Sequence, residues 1–299
     1  MPPVSREIQQ AIADIAKGSG VAGAGFAERA AAIELLEIHV LDRLHYLEER
    51  HNLSKELQAL GAQAKALRTR LEGANERFLR TLRRRIQSGR CTGSELTRVL
   101  TRSAGPPGPP GYYDTLDLLV SGLLHTGARP RERAAREPEM VAYQPTPARA
   151  VLGLIARANL RGDDTFYDLG SGLGRVVLLV ALLSDARAIG IEREPAYVSC
   201  AARCARRLRM RNAEFVQADA RDAALSDGSV FFMYSPFRGA LLRKVLMRLR
   251  AEARKRPIRV CTLGPCTMVT ASEGWLRPED GRTFSAHEVA IFQSVSQRA

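Results

Sequence analysis

A glycine-rich turn after a strand-like run is the part of this sequence best suited to hold a small molecule. Residues 166–169 (Phe-Tyr-Asp-Leu) form an apolar run that contains an acid, and Gly170, Gly172 and Gly174 follow at G-x-G-x-G spacing. Glycines let the backbone turn tightly and approach a ligand without interference from a Cβ atom. An apolar run over residues 176–183 predicts a helix next, and its first amides carry a partial positive charge toward such a ligand. This order predicts a cofactor site at the end of a strand.

Two further acids indicate what kind of ligand this is. Arg175 stands where the dinucleotide fingerprint G-x-G-x-x-G needs a third glycine, which argues against a bound pyrophosphate. A ligand with a carboxylate and a ribose but no phosphate fits better. Glu192 ends an apolar run about 20 residues after the glycines, the spacing that places an acid on ribose hydroxyls. Asp219 ends the run over residues 214–219 and is a candidate acceptor for an adenine amino group.

A polar-proline-aromatic turn after another apolar run is the second stretch with the character of a site. The run over residues 230–234 ends at Tyr234, and Ser235, Pro236 and Phe237 follow it. Ligands of open α/β sheets bind at the carboxyl edge of the strands, so we expect this turn beside the glycine-rich turn. The hydroxyl of Tyr234 or Ser235 can accept a hydrogen bond from an amine, and Phe237 can form a pocket wall. Packing in the core is the alternative for Tyr234 and Phe237.

Strands and helices alternate in the part of the chain that contains these motifs. We predict strands near Phe166, over 188–192, near Phe215, over 230–234, over 258–263 and over 287–293, and helices over 175–184, 196–210 and 240–255. Such alternation predicts an α/β fold with a mostly parallel sheet and helices on both faces. The charged, proline-punctuated stretch 129–139 is expected to be a mobile loop or lid.

The first third of the chain has a different pattern. Apolar residues recur at helical spacing from about Ser5 to Leu100, so residues 1–103 are predicted to form an all-α N-terminal domain. A seam at intervals of three and four runs from Leu57 to Phe78, which predicts either a helical hairpin with an upstream helix or a homodimer. Residues 104–111 are rich in proline and glycine and are predicted to be a stiff linker, with the α/β domain over 112–299.

Composition and charge bound the class of protein. With 299 residues and 45% hydrophobic side chains, the chain can build one large or two moderate globular domains. The longest apolar run is far short of a membrane span, and no signal core follows the N-terminus, so we expect a cytoplasmic protein without a membrane partner. Five cysteines form an odd set without a C-x-x-C pair, which indicates reduced thiols and no metal site.

The positive charge is concentrated in the second half of the chain. The net charge is +13, and residues 203–259 hold 15 Lys and Arg against 5 Asp and Glu. The helices predicted at 203–211 and 238–256 carry most of this excess, so a nucleic acid or an acidic protein surface is a candidate partner. A solvated, arginine-rich helix face is the alternative.

Together these motifs resemble the class I S-adenosylmethionine-dependent methyltransferases. Residues 168–174 match the first motif of that family, Glu192 matches its ribose acid, and the resemblance covers about half the chain, from roughly Met140 to the C-terminus. It implies a Rossmann-like domain with a seven-stranded sheet whose last strand is antiparallel, and S-adenosylmethionine as the cofactor. The implied cofactor-binding residues are Asp168, Gly170, Ser171, Gly172, Gly174, Glu192 and Asp219.

The segment before the first strand has a place in the same scheme. In these enzymes a helix precedes the first strand, and the loop that leads into it touches the cofactor. Residues 143–147 (Tyr-Gln-Pro-Thr-Pro) occupy that position, so Gln144 and Thr146 are expected to hydrogen-bond the methionine carboxylate. Thr146 before a proline is also typical of a helix cap.

A helical front domain, the Tyr-x-Pro-Thr-Pro segment, Asp-Leu-Gly-Ser-Gly and a basic surface are together similar to the non-SET histone-lysine methyltransferases (the disruptor-of-telomeric-silencing family) and their prokaryotic relatives. This resemblance implies methylation of a protein lysine, with Tyr234, Ser235 and Phe237 at the position where that family holds the acceptor. The Asn-containing fourth motif of the family is not reproduced there. Two alternatives stay open: methylation of RNA, and a non-catalytic cofactor-binding module that recruits a partner through its helices.

Overall fold

The computed structural model describes residues 3–18, 23–50, 52–127, 129–279 and 284–295. Helices form the first part of the described chain, as the apolar spacing predicts. They are α1 (Pro3–Gly18), α2 (Phe26–Leu36), a π-helical turn (Glu37–Leu41), α3 (Asp42–Glu48), α4 (Lys55–Gln87) and α5 (Gly93–Ala104). No helix of these described residues, or of those that follow, is both long enough and apolar enough to cross a membrane.

The apolar seam of α4 is covered by other helices of the same chain. Leu60, Ala64, Leu67 and Leu71 are buried in one apolar cluster with residues of α1, α2 and the π-helical turn. The next part of α4 faces elsewhere: Leu79, Leu82 and Ile86 are buried in a larger cluster that includes residues of α5 and of the α/β part. The front helices therefore share a core with the sheet, while the division of the chain at residues 104–111 stays a prediction.

Alternating strands and helices make up the rest of the described chain. The helices are α6 (Thr115–Leu124), α7 (Ala148–Ala158), α8 (Arg175–Leu183), α9 (Pro195–Arg207), α10 (Gly239–Ala253) and α11 (Cys266–Ala271). The strands are β1 (Thr165–Leu169), β2 (Arg187–Glu192), β3 (Ala213–Gln217), β4 (Val230–Tyr234), β5 (Arg259–Leu263), β6 (Leu276–Pro278) and β7 (Ala290–Ser294). Helix α11 and strand β6 are absent from the sequence prediction.

The seven strands form one sheet in the order β3-β2-β1-β4-β5-β7-β6. Strands β1 to β5 are parallel to one another, and β7 runs antiparallel to both β5 and β6. The structure confirms the predicted fold class, including the antiparallel last strand. Because the parallel strands all end at the same edge, the acids and turns that follow β1, β2, β3 and β4 meet there.

The two faces of the sheet carry separate apolar clusters. Side chains alternate along a strand, so Phe166 of β1 packs in one cluster with α8 and α9, and Tyr167 packs in the other with α10. The basic helices predicted at 203–211 and 238–256 therefore lie on opposite faces of the sheet. They do not form one continuous basic surface.

Candidate functional site

A cavity of about 790 Å³ lies at the carboxyl edge of the sheet. This volume is in the range typical of cofactor and small-molecule sites. Its walls come from the ends of β1 to β5, the segment before α7, the stretch 132–142 and residues 286–287. Eleven of the twelve residues predicted for the site line it: Gln144, Thr146, Asp168, Gly170, Ser171, Gly172, Glu192, Asp219, Tyr234, Ser235 and Phe237.

The glycine-rich turn has the backbone that the sequence predicts. Gly170 and Gly172 have φ angles of +87° and +54°, in the left-handed region where side chains are strained. A Cβ at Gly172 would lie 2.4 Å from the ring of Tyr143, and a Cβ at Gly170 would lie 2.4 Å from Pro236. Both glycines therefore leave room where neighbouring segments converge on the cavity.

Gly174 is the predicted residue that does not line the cavity. It precedes α8 with a φ angle of +79°, and a Cβ there would lie 2.5 Å from Phe215 and 2.7 Å from Ala201. Gly174 therefore allows α8 to pack closely against β3 and α9.

Asp168 is a buried carboxylate without a hydrogen-bond donor. Its side chain is 3% exposed, and no group among the described residues donates a hydrogen bond to it. Burial, and then the nearby Glu192 carboxylate, raise the pKa of Asp168 to about 8. The hydroxyl of Ser171 is likewise buried with no partner in the described part of the chain. An ammonium group in the cavity would supply the donor that Asp168 lacks.

Glu192 ties the end of β2 to the glycine-rich turn. Its carboxylate accepts hydrogen bonds from the amides of Gly172 and Glu194, each at 2.8 Å. Burial raises the pKa of Glu192, while these amides lower it. Each carboxylate oxygen has a further lone pair, so Glu192 can also accept from ribose hydroxyls while it holds the turn.

Asp219 is engaged by an arginine that follows it. Arg221 donates to its carboxylate from the amide at 2.8 Å, from Nε at 2.9 Å and from Nη2 at 2.7 Å. These hydrogen bonds lower the pKa of Asp219 and keep it ionised. Arg221 Nη2 also donates to Glu137 at 2.7 Å, so Asp219 is a lining acid that also helps to position the stretch over the cavity.

The segment 143–147 is held by a buried ion pair. Arg175 pairs with Asp117 of α6 at 2.5 Å, and it donates to the Thr146 carbonyl at 3.1 Å and to Ser121 Oγ at 2.7 Å. The same Asp117 oxygen accepts from the amide of Ala148, the first residue of α7, at 2.9 Å. The prediction that Thr146 caps this helix is wrong: the N-cap is Pro147, and the carboxylate that binds the first turn comes from Asp117.

Residues 129–142 form a strap across the cavity. Glu194 accepts from the amides of Arg133 and Ala134, both at 2.8 Å, and fixes the strap beside β2. At the other end, Glu139 accepts from the amide of Leu241 at 2.7 Å, and Met140 forms an antiparallel bridge with Phe237 beside β4. The strap is therefore a wall of the cavity, attached at both sides.

The turn after β4 is built by Ser235. Its φ angle is +42°, and its hydroxyl donates to the Leu263 carbonyl at 3.0 Å and accepts from the Cys266 amide at 3.0 Å. The Ser235 hydroxyl thus connects β4 to the turn after β5. Phe237 is 8% exposed and belongs to an apolar cluster with Leu241, so core packing accounts for most of its surface.

Tyr234 has a different environment from its two neighbours. It is half-buried, lines the cavity, and makes no hydrogen bond through its hydroxyl within the described residues. Burial raises its pKa, so the phenol is neutral and can donate or accept one hydrogen bond. Of the two hydroxyls among the predicted catalytic residues, that of Ser235 is hydrogen-bonded, and that of Tyr234 has no partner among the described residues.

We call the part of the cavity beyond the glycine-rich turn the acceptor half; it is lined by Gly111, Tyr234, Ser235, Gly264, Pro265, Cys266, Val269, Ala286 and His287. None of these described residues is an Asp, Glu, Lys or Arg; the nearest lining cation along the chain is Arg238, which donates to the Pro138 carbonyl at 3.3 Å. Gly111 comes from the predicted linker, whose start is held by Arg149 donating to the Gly105 carbonyl at 3.1 Å. A Cβ at Gly111 would lie 2.5 Å from His287 Nδ1, so the linker and the C-terminal segment meet at this wall.

The site has two chemically different parts. The cofactor half, on the side of β1 to β3, has carboxylates suited to an ammonium group and to ribose hydroxyls, while no Asp, Glu, Lys or Arg is among the described residues of the acceptor half. The fit to S-adenosylmethionine rests on the buried Asp168 carboxylate, which has no donor among the described residues, and on the Glu192 carboxylate at the end of β2. Sequence reasoning missed Asp117 and Glu194; an acid directly before a helix start is the signal that marks Glu194.

The chain resembles several solved methyltransferase structures. One is an RNA methyltransferase from Salinibacter ruber in complex with S-adenosyl-L-homocysteine (24% identity, covering 52% of this chain and 96% of that one, TM-score 0.40). Another is the putative methyltransferase yhhF from Escherichia coli (20% identity, 57% and 97% covered, TM-score 0.42). A third is TrmN from Thermus thermophilus (17% identity, 48% and 48% covered, TM-score 0.38). No curated protein sequence matches the chain significantly.

A protein family matches the part of the chain that builds the cofactor half. Residues 141–232 match the family described as histone methylation protein DOT1. This range contains the segment before α7, the glycine-rich turn, Glu192 and Asp219, and it ends within β4. Together with the sheet order and the geometry of the site, the match identifies the α/β part of this chain as a class I S-adenosylmethionine-dependent methyltransferase domain that resembles the DOT1 family.

Proposed function

We propose that this methyltransferase modifies the ε-amine of a lysine in a protein. The description of the matched family, histone methylation, is the first support for a protein substrate. The observation that carries the proposal is the set of described residues that line the acceptor half, which includes no Asp, Glu, Lys or Arg, since an amine must lose its proton before it can accept a methyl group. An uncharged, largely apolar chamber lowers the pKa of a lysine that enters it.

The mouth of the cavity also favours a polypeptide. Tyr112, Val141, Met268 and Val269 lie at or beside the lining and are 68%, 47%, 64% and 39% exposed. Exposed apolar side chains that border a pocket are typical of surfaces that bind other proteins. A peptide that lies on this rim can place a lysine in the acceptor half.

The cavity offers little to a phosphate backbone. Arg136, Arg175, Arg193 and Arg238 line it, and each is engaged within the chain: by Glu132, Asp117, Glu137 and the Pro138 carbonyl, respectively. The strongly basic helices lie on opposite faces of the sheet and do not converge on the mouth. RNA methylation is therefore the second hypothesis.

In this proposal the cofactor and three lining residues have separate roles. When bound, S-adenosylmethionine would supply a methyl group on a sulfonium, and in-line attack of an amine on that methyl carbon would break the S–C bond and release S-adenosylhomocysteine. We assign Asp168 and Glu192 to the ammonium and ribose groups of the cofactor. We assign the Tyr234 hydroxyl to accept a hydrogen bond from the lysine amine and so to orient its lone pair; the proton released on methylation passes to solvent.

The test is a transfer experiment with methyl-labelled S-adenosylmethionine, the purified protein and a cell extract, followed by separate protease and nuclease digestion. We expect the label to be released by protease and to co-migrate with methyllysine after acid hydrolysis. Gly172→Ala should abolish the transfer, while Gly153→Ala in α7, where a Cβ meets no atom within 4 Å, should retain it. Release by nuclease alone would replace the proposal by RNA methylation. Cofactor binding without any transfer would favour the non-catalytic module.

A further inference from the structure

Two stretches of the chain carry arginines and no acid. Residues 77–94 contain six arginines and residues 195–213 contain five, with no Asp or Glu in either range. The first stretch covers the end of α4 and the turn after it, and the second covers α9 and the turn into β3. They are more than 100 residues apart in the sequence, so only the fold decides whether they act together.

The fold joins them. Arg77, Arg80, Arg84 and Gln87 lie on one side of α4, because three- and four-residue steps return to the same face of a helix. Gln87 Nε2 donates to the Arg207 carbonyl at the end of α9 at 2.7 Å. The arginine row of α4, about 15 Å long at 1.5 Å per residue, therefore leads directly to the arginines at the end of α9.

Most of these arginines are free to bind a partner. Arg83 and Arg85 pair with Glu76 and Glu95 and are left out of the surface. The other nine are exposed, and none forms an ion pair with a residue that the structure describes. We call them the arginine surface: Arg77, Arg80, Arg84, Arg90, Arg203, Arg206, Arg207, Arg209 and Arg211.

We propose that the arginine surface binds the phosphodiester backbone of a nucleic acid. Every cation in it is an arginine, whose planar fork pairs with phosphate through two hydrogen bonds. None of the exposed large apolar side chains of the described residues lies in either stretch. A protein interface or a membrane-binding helix would need such side chains, so the composition favours a highly charged polyanion.

The arginine surface is remote from the methyl-transfer cavity. Helix α9 begins beside the cavity, where Tyr197 lines it, and Arg207 is the last of its 13 residues. At 1.5 Å per residue, Arg207 lies about 15 Å along the helix axis from Tyr197, toward the amino edge of the sheet. This surface therefore tethers the enzyme to a nucleic acid and does not itself present the methylated group, and the inference does not depend on the nature of the acceptor.

The test compares two triple variants of the full chain with equal loss of charge. Arg84→Gln/Arg206→Gln/Arg207→Gln changes the arginine surface, and Arg243→Gln/Lys244→Gln/Arg254→Gln changes exposed cations of α10 and its C-cap on the other face of the sheet. Binding of a fluorescent 20-nucleotide RNA and of a 20-base-pair DNA duplex is measured by anisotropy between about 50 and 200 mM salt. Circular dichroism confirms that both variants are folded, and titration calorimetry with S-adenosylmethionine measures the cavity separately.

We expect the arginine-surface variant to lose affinity at least about tenfold and to lower the salt slope for duplex DNA by about 2–3, since each lost phosphate contact removes about 0.9. The α10 variant should bind as the wild type does, and both variants should bind S-adenosylmethionine with the affinity of the wild type. Equal losses in the two variants, or no binding by the wild type at low salt, would overturn the proposal. Equally tight binding of polyglutamate would overturn it in favour of an acidic protein partner, and equally tight binding of phosphatidylserine vesicles in favour of a membrane surface.

Discussion

Replacement of Asp168 by asparagine should stabilise the free protein and weaken cofactor binding at the same time. Asp168 is buried at the carboxyl end of β1, and its pKa of about 8 compares with 3.8 for an ordinary aspartate. About four pH units at roughly 1.4 kcal/mol each give a ceiling of ~6 kcal/mol for the cost of ionising it in the folded protein. Water in the open cavity lowers this cost, and a few kcal/mol is typical of a buried ion.

The direction of the pH dependence follows from the raised pKa. Between pH 3.8 and about 8 the folded protein holds the Asp168 proton more tightly than the unfolded chain does. The free energy of unfolding therefore falls as the pH rises through this window, and the whole cost is present above about pH 8. The amide side chain of the Asp168→Asn variant has no proton to lose, so the variant should lose less stability than the wild type between pH 5 and 8.

Cofactor affinity should change in the opposite sense. An ionised Asp168 pairs with the ammonium group of S-adenosylmethionine, and a hydrogen bond between charged groups contributes about 1.5–3 kcal/mol. Asp168→Asn should therefore raise the dissociation constant roughly 10- to 100-fold, and wild-type affinity should increase from pH 6 to 8 while that of the variant stays nearly flat.

The assays are urea unfolding at pH 5 and 8 and titration calorimetry with S-adenosylmethionine. Asp163→Asn, at an exposed acid just before β1, is the matched control and should change neither quantity. A variant that is less stable than the wild type and binds the cofactor with unchanged affinity would show that Asp168 is structural, and the assignment of the cofactor half would be refuted.

Three further variants test separate parts of the site. Gly172→Ala places a Cβ 2.4 Å from the ring of Tyr143 at a φ angle of +54°. Calorimetry should therefore show at least a tenfold loss of cofactor affinity, with the far-ultraviolet circular dichroism unchanged. An affinity equal to that of the wild type would show that the turn does not contact the cofactor. Phe237→Ala should lower the free energy of unfolding, measured in urea, by about 3–4 kcal/mol while cofactor affinity is retained, because Phe237 is a core residue. Unchanged stability with low turnover would instead show that Phe237 is part of the acceptor wall. Arg175→Met leaves Asp117 buried without its cation and should cost about 3–5 kcal/mol in the same assay; a loss below about 1 kcal/mol would contradict the role given to this pair.

Much of the fold could be predicted from local sequence. Strand β4 has the predicted bounds, Val230–Tyr234, because an apolar run ends sharply at a polar turn. Helix α11 and strand β6 were missed because they have only six and three residues, too few to show a period. Both depend on tertiary contacts: β6 pairs with β7, and Thr262 of β5 hydrogen-bonds Thr267 of α11 at 3.0 Å.

The residues that line the cofactor half could be predicted from the sequence for the same local reason. Glycines at a turn and acids at strand ends have a chemistry that does not depend on distant residues, and parallel strands bring their carboxyl ends together. The hydrogen-bond partners of each side chain could not be predicted in this way. Ser235 was predicted as an acceptor for an amine, yet its hydroxyl donates to Leu263 and binds the Cys266 amide. Asp219 was predicted to face an adenine, and Arg221 engages its carboxylate.

Local sequence was enough to predict the order of most strands and helices, the glycine-rich turn and the acids proposed for the cofactor site. These features follow from the period of apolar residues and from turn chemistry, which act over a few neighbouring residues. Three features are visible in the folded chain and not in its sequence: Asp117 binds Arg175, the strap crosses the cavity, and the two basic helices lie on opposite faces of the sheet. Each of these depends on residues tens of positions apart, whose contact is set by how the helices and the sheet pack together.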